Sequence, residues 1–194
     1  MDRKQFRDLA DPEVARERIA SLDLTPDAET VPLREARGRV LAGRIDADLD
    51  VPGFDRASVD GYALSASDTF GADEADPAEL RRVGVVHAGS EPDVEVGPGE
   101  CAEISTGAVL PPGADAVVMV ERTDAGGDED TILVRTSLAP GDRVMFAGAD
   151  IAAGERALGP GTVLTPREIG LLSAIGVDEV PVRGVPTVGI VSTG

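Results

Sequence analysis

The chain has 194 residues, with 36 acidic against 18 basic side chains, a formal charge of −18, and 42% hydrophobic but only 3% aromatic residues. That length allows one large domain or two small ones, with a core built from Val, Ile, Leu and Ala. One cysteine, Cys101, and one histidine, His87, exclude an internal disulfide, a multi-thiolate metal site and a histidine metal cluster.

Residues 11–22 predict a helix, with Asp11 as N-cap, Pro12 in the first turn and Val14, Ile19 and Leu22 as a partial apolar face. A shorter helical piece at 33–37 leads through Gly38 into an expected strand at 40–45. From Val51 onward strand signals dominate: segments 83–86, 116–120 and 131–134 are short, β-branched and separated by Pro/Gly turns. Such spacing is that of a β-barrel or sandwich. The acidic, Gly-rich run 124–130 predicts an exposed hairpin tip.

Beyond Asp142 the character changes. Gly154, Gly159, Pro160 and Gly161 mark turns, and Thr165-Pro166-Arg167-Glu168 reads as a helix start. The helix passes through Ile175 and Gly176 stops it. Strands are expected at 179–182 and 188–191, after which Ser192-Thr193-Gly194 begins a turn of the kind that leads into a helix. A buried strand at 188–191 needs neighbours, which implies the front part of a longer protein. The helical ends are expected to form one domain with the strand-rich middle inserted into it.

Acids are spread through every segment rather than gathered in a tail, and Lys4 is the one lysine. A uniformly acidic surface suits a salt-rich cytoplasm, where screening is short-ranged. It also disfavours nucleic-acid binding through a basic patch. No apolar run approaches a membrane span, and Met1-Asp2-Arg3-Lys4 lacks a signal peptide's apolar segment, so a cytoplasmic location is expected.

Three segments carry chemistry. Residues 52–64, Pro-Gly-Phe-Asp-Arg-Ala-Ser-Val-Asp-Gly-Tyr-Ala-Leu, hold the single Tyr, one Phe and two carboxylates five residues apart, and read as an ordered loop entering a strand. The structural alternative is a loop that packs Phe54 and Tyr62 for stability. Residues 103–121 contain Ser105-Thr106-Gly107, whose hydroxyls and free amide N–H groups suit an oxyanion, or else mark a strand-to-turn junction. In the third, Gly148-Ala149-Asp150-Ile151, the carboxylate of Asp150 lies between small residues, open to a ligand or hard cation; the plain alternative is a turn aspartate.

Together these segments resemble the MoeA / gephyrin E-domain family, the molybdopterin molybdenumtransferases. The resemblance rests on Pro52 to Ala63, on Thr106 to Val118, and on Gly148-x-Asp150-Ile151. It continues through Leu164-Thr165-Pro166-x-Glu168-Ile169-Gly170 and the terminal Ser192-Thr193-Gly194. It implies an α+β fold: an elongated mixed α/β domain (1–50 and 143–183), an inserted β-barrel-like domain (51–142), and the first strand of a truncated α/β molybdopterin-binding domain (184–194). It also implies an enzyme of molybdenum cofactor biosynthesis, in which adenylyl-molybdopterin and molybdate react with release of AMP, aided by Mg²⁺, in a homodimer. Position by position, Asp60, Asp150 and Thr106 are then catalytic, and Asp60 and Asp150 hold the metal. Arg56, Ser58, Ser105 and Arg143 contact substrate.

This chain departs from the family in two places. It has Met145-Phe146-Ala147-Gly148-Ala149 where the family carries an Arg-rich run and Gly-Glu, and Arg56 stands where Asn is usual. The family's main molybdopterin-binding loops fall beyond Gly194, so this chain alone is expected not to complete the reaction. The other readings are a non-catalytic, gephyrin-like scaffold and a tungsten-specific insertase.

Overall fold

The structure, a computed structural model, describes residues 11–192. In chain order, α1 (Pro12–Ala20) and β1 (Ala28–Pro32) are followed by β2 (Ile45–Asp46), β3 (Arg56–Ala57) and β4 (Gly61–Leu64). The strand-rich middle continues with β5 (Ala78–Val86), β6 (Glu100–Ile104), β7 (Ala116–Met119), β8 (Thr123–Ala125) and β9 (Thr131–Val134). β10 (Val144–Met145), β11 (Arg156–Leu158), α2 (Pro166–Ala174) and β12 (Glu179–Arg183) complete it. This is a mixed α/β architecture with few helices.

One apolar core joins the two ends of the chain: Ala36, Leu41 and Ala47 pack with Ile151, Leu164, Leu172, Ile175, Val180 and Val182. Around it β1 pairs antiparallel with β12, and β2 with β11. Helix α2 delivers Leu172 to this core, and its start follows from the local sequence. The Thr165 side chain accepts from the first-turn backbone while Glu168 bonds back to the Thr165 amide at 3.0 Å, a full capping box with Pro166 in the first turn.

Between these ends lies a curled six-stranded sheet of order β7-β4-β6-β5-β9-β8. Only β5 and β6 run parallel. Strand alternation puts Ala63, Ala102, Ile104 and Val117 into one cluster and Leu64, Cys101, Ala116 and Val118 into another, so each face of the sheet buries its own apolar set. The sheet does not close among the described residues, since its end strands β7 and β8 are not paired to each other. The inserted β-barrel-like domain of the expectation corresponds here to a curled sheet, and barrel closure is not seen among the described residues.

Other expectations divide. The helix start at Asp11 holds, its carboxylate accepting the Glu13 amide at 2.8 Å, but α1 buries no residue, and its apolar face (Ile19 is 65% exposed) stays in solvent. The piece at 33–37 is a 3-10 turn at Leu33–Glu35. Residues 40–45 do not form one strand, because they divide their hydrogen bonds between two partners: Leu41 N–H donates to Thr162, and Ala42 N–H to Pro181. The 124–130 segment is the predicted hairpin, β8 turning into β9. Residues 188–191 form no strand; Ile190 is 92% exposed, and among the described residues no neighbouring strand pairs with its backbone. Thr193 and Gly194 lie outside the described residues, as does the Met1 to Lys4 start.

Candidate active-site cleft

The opening loop stitches the three motifs together. Its first carboxylate, Asp55 Oδ1, accepts the Ala147 amide at 2.8 Å, and its second, Asp60 Oδ1, accepts the Thr106 amide at 2.7 Å. Between them the backbone of Ala57 exchanges hydrogen bonds with Gly107 and Ala108, and Ser58 donates both its amide and its Oγ to the Arg143 carbonyl, each at 2.9 Å. Two acids five residues apart thus reach two segments 46 and 92 residues downstream. Phe54 plays no anchoring part, being 45% exposed.

Asp60 stands at the edge of a cleft of about 250 Å³ that it lines with Gly61, Tyr62, Glu103 and Ser105. Gly61 is required here by space: a Cβ on it would lie 1.8 Å from the Val118 carbonyl oxygen of the adjacent strand β7. Tyr62 and Glu103 face each other across β4 and β6, and Glu103 pairs with Arg82 at 3.2 Å. The Thr106 amide, and then the Thr106 hydroxyl, hold the Asp60 carboxyl below its usual range, so it is an anion at neutral pH. Burial pushes the Tyr62 phenol up, with the Glu103 charge adding to the effect, so Tyr62 is a neutral donor. Sequence reading noted Tyr62 and missed Glu103, which only the β4–β6 register brings to it.

One expectation is corrected. The amides of Ser105-Thr106-Gly107 are not free for an oxyanion: Ser105 N–H donates to Val86, Thr106 N–H to Asp60 and Gly107 N–H to Ala57. The hydroxyls of Ser105 and Thr106 are what this turn offers a ligand. In the same motif the tail is structural, since Asp115 Oδ1 accepts the Ala66 amide at 2.7 Å.

The remaining candidates lie around this loop without forming one cluster. Arg56 sets its guanidinium against the Met145 sulfur, at 3.0 Å and 3.3 Å, on the β3–β10 pair. Arg143 has φ of 58°, a left-handed conformation rare for a side chain of its size. Asp150 is exposed and is placed by its backbone, its N–H donating to Val51 at 2.9 Å. It shares no hydrogen bond with Asp60. Among the described residues no three His, Cys, Asp or Glu side chains converge on a metal position.

The fold has parallels among solved structures. A molybdopterin biosynthesis MoeA protein from Pyrococcus horikoshii superposes with a TM-score of 0.79 at 44% identity, covering 88% of this chain and 43% of that one. Residues 10–176 match the family described as MoeA N-terminal region (domain I and II), and the chain belongs to that family. Among curated relatives, Molybdopterin molybdenumtransferase 2 of Mycobacterium tuberculosis is 40% identical over 165 residues, 85% of this chain and 40% of that protein. The Bacillus subtilis molybdopterin molybdenumtransferase is 36% identical over 179 residues, 91% of this chain and 42% of its own length. The chain therefore spans about 40% of the relatives it matches.

Proposed function

We propose that this chain supplies the N-terminal region of a molybdenum insertase, in which adenylyl-molybdopterin and molybdate react and AMP leaves. The observation that carries the reading is the Asp60–Thr106 clasp within a chain of this family. The proposed domain division is 1–50 with 143–183 as an elongated domain, 51–142 as the inserted β-rich domain, and 184–194 as the start of a further one, a reading supported by the apolar core shared between residues 36–47 and 151–182. The transferase names of the matched relatives support an enzyme over a scaffold.

In this reading Asp60 spends Oδ1 on the Thr106 amide, which fixes the carboxylate at the cleft, and its other oxygen has no hydrogen-bond partner among the described residues. That oxygen, with Asp150, is the proposed Mg²⁺ ligand set, which would neutralise charge on substrate phosphate oxygens. Ser105 and Thr106 hydroxyls orient an oxyanion, while Arg56, Ser58 and Arg143 hold anionic substrate. Cation help matters for a chain of charge −18 that takes anionic substrates. A homodimer, a salt-rich cytoplasm and molybdate rather than tungstate belong to the same proposal.

The test is AMP release from adenylyl-molybdopterin with molybdate and Mg²⁺ at high salt, by an intact insertase carrying this region. Asp60→Ala and Asp150→Ala are each expected to lower the rate by about 10²-fold or more, the usual loss for a charge-stabilising group. No AMP release by the unsubstituted protein sinks the enzyme reading, and unchanged release by both variants sinks the residue roles.

A further inference from the structure

A second and larger cleft, of about 610 Å³, opens along the edge strand β7. Its polar lining is Arg122, Thr136, Ser137, Asp142 and Arg143. None of the Asp60 cleft's residues takes part in it.

Its two guanidinium groups have no carboxylate partner among the described residues. Acids outnumber bases 36 to 18, and eight of the fifteen described arginines pair with carboxylates, among them Arg82 with Glu103 and Asp130, Arg135 with Asp124 and Arg39 with Glu29. Arg122 and Arg143 enter no ion pair and no side-chain hydrogen bond among the described residues, yet they line the same cavity. The one carboxylate there, Asp142, turns Oδ2 to the Ala139 amide at 2.9 Å. The Thr136 and Ser137 hydroxyls make no contact shorter than a marginal 3.4 Å between Thr136 Oγ1 and the Ser137 carbonyl.

The wall is also built in advance of any ligand. Segment 141–144 is bonded onto the sheet, Val117 N–H donating to Asp142 at 2.9 Å and Gly141 N–H to Asp115 at 2.7 Å. Arg143 is held in its left-handed conformation by the two Ser58 donors on its carbonyl. Local strain kept in place by surrounding contacts is found where a side chain must be aimed.

We propose that this cleft binds a phosphate group, with Arg122 and Arg143 donating to its oxygens and the Thr136 and Ser137 hydroxyls completing the shell. Guanidinium forks and hydroxyls match the oxygens of a tetrahedral dianion. The phosphate is either a free ion or the terminal group of a nucleotide monophosphate. The inference shares Arg143 with the proposed function and stands without it.

The experiment is a ³¹P NMR titration of the 194-residue chain with inorganic phosphate and, separately, with AMP, at low and high KCl. Saturable binding of either is expected, weaker at high salt. Arg122→Gln and Arg143→Asn should each weaken it about tenfold, the loss for one charge-assisted contact. Asn accepts positive φ, so the second variant keeps the backbone, and Arg122→Gln is a surface change that serves as the independent check. Asp60→Asn should leave binding unchanged, which separates this cleft from the proposed active site. Binding of phosphate alone or of AMP alone supports the cleft and identifies the source of the group. Absence of saturable binding to both, binding insensitive to both arginine variants, or loss of binding in Asp60→Asn overturns the proposal.

Discussion

Asp60 is positioned by the bond from the Thr106 amide to Oδ1, and its pKa is lowered by that amide first and by the Thr106 hydroxyl second. Because that bond lowers the folded-state pKa, the contact contributes fully above the ordinary carboxylate range and is lost as pH falls through the lower folded value. Titrating the Asp60 carboxyl carbon by NMR should give a midpoint below that of an unfolded aspartate, with the Thr106 amide shift moving in step. A normal midpoint, or an amide that ignores it, contradicts the clasp. The neighbouring Gly61 is equally constrained, since a Cβ would enter the Val118 carbonyl at 1.8 Å. Gly61→Ala should therefore cost on the order of 1–3 kcal/mol or more, read as a lower urea midpoint, as overpacking against backbone does. Cys101, by contrast, is buried and its thiol is pushed up to about 12, so it stays protonated and inert toward oxidants at neutral pH.

Helix α2 and the sheet show how short elements are held. Bonds from the Thr165 side chain and then Arg167 hold the Glu168 carboxyl down to about 2. Its contribution is complete above the ordinary glutamate range and fades as pH falls from there toward 2. Thr165→Ala should cost about 1 kcal/mol at pH 7 by urea unfolding, the usual worth of a side-chain N-cap. Glu168→Gln should flatten the loss of stability between pH 5 and pH 2; an unaltered acid limb would rule out the capping role. Both helix starts, at Asp11 and Thr165, were readable because capping chemistry is local. The short strands β2, β3 and β10 were not, since two-residue strands exist only through partners far along the chain.

For the chain as a unit, a charge of −18 over 194 residues is a source of self-repulsion. Self-repulsion among spread acids falls as the Debye length shrinks from about 10 Å at 0.1 M salt to about 3 Å at 1 M. Thermal unfolding in 0.1 M and 2 M KCl should show a higher midpoint at the higher salt, and an unchanged or lower midpoint would remove the salt-adaptation reading. Residues 31–51 and 151–182 share one core, as the proposed insertion of the middle segment requires.

The ordered motifs carried the resemblance to the family, while caps and turns marked element starts and stops, because each is a local or spacing-based signal that survives without contacts. They also marked Asp60, Thr106, Ser105 and Asp150 as residues to watch. The tertiary structure alone decided what those residues do to one another. Asp60 and Asp55 became clasps on distant amides, the Ser-Thr-Gly amides turned out to be engaged, and the middle took the form of a curled six-stranded sheet. It also set Arg122 beside Arg143 in one cleft. Those outcomes depend on strand register and on which backbone groups find partners across tens of residues, and no local pattern encodes either.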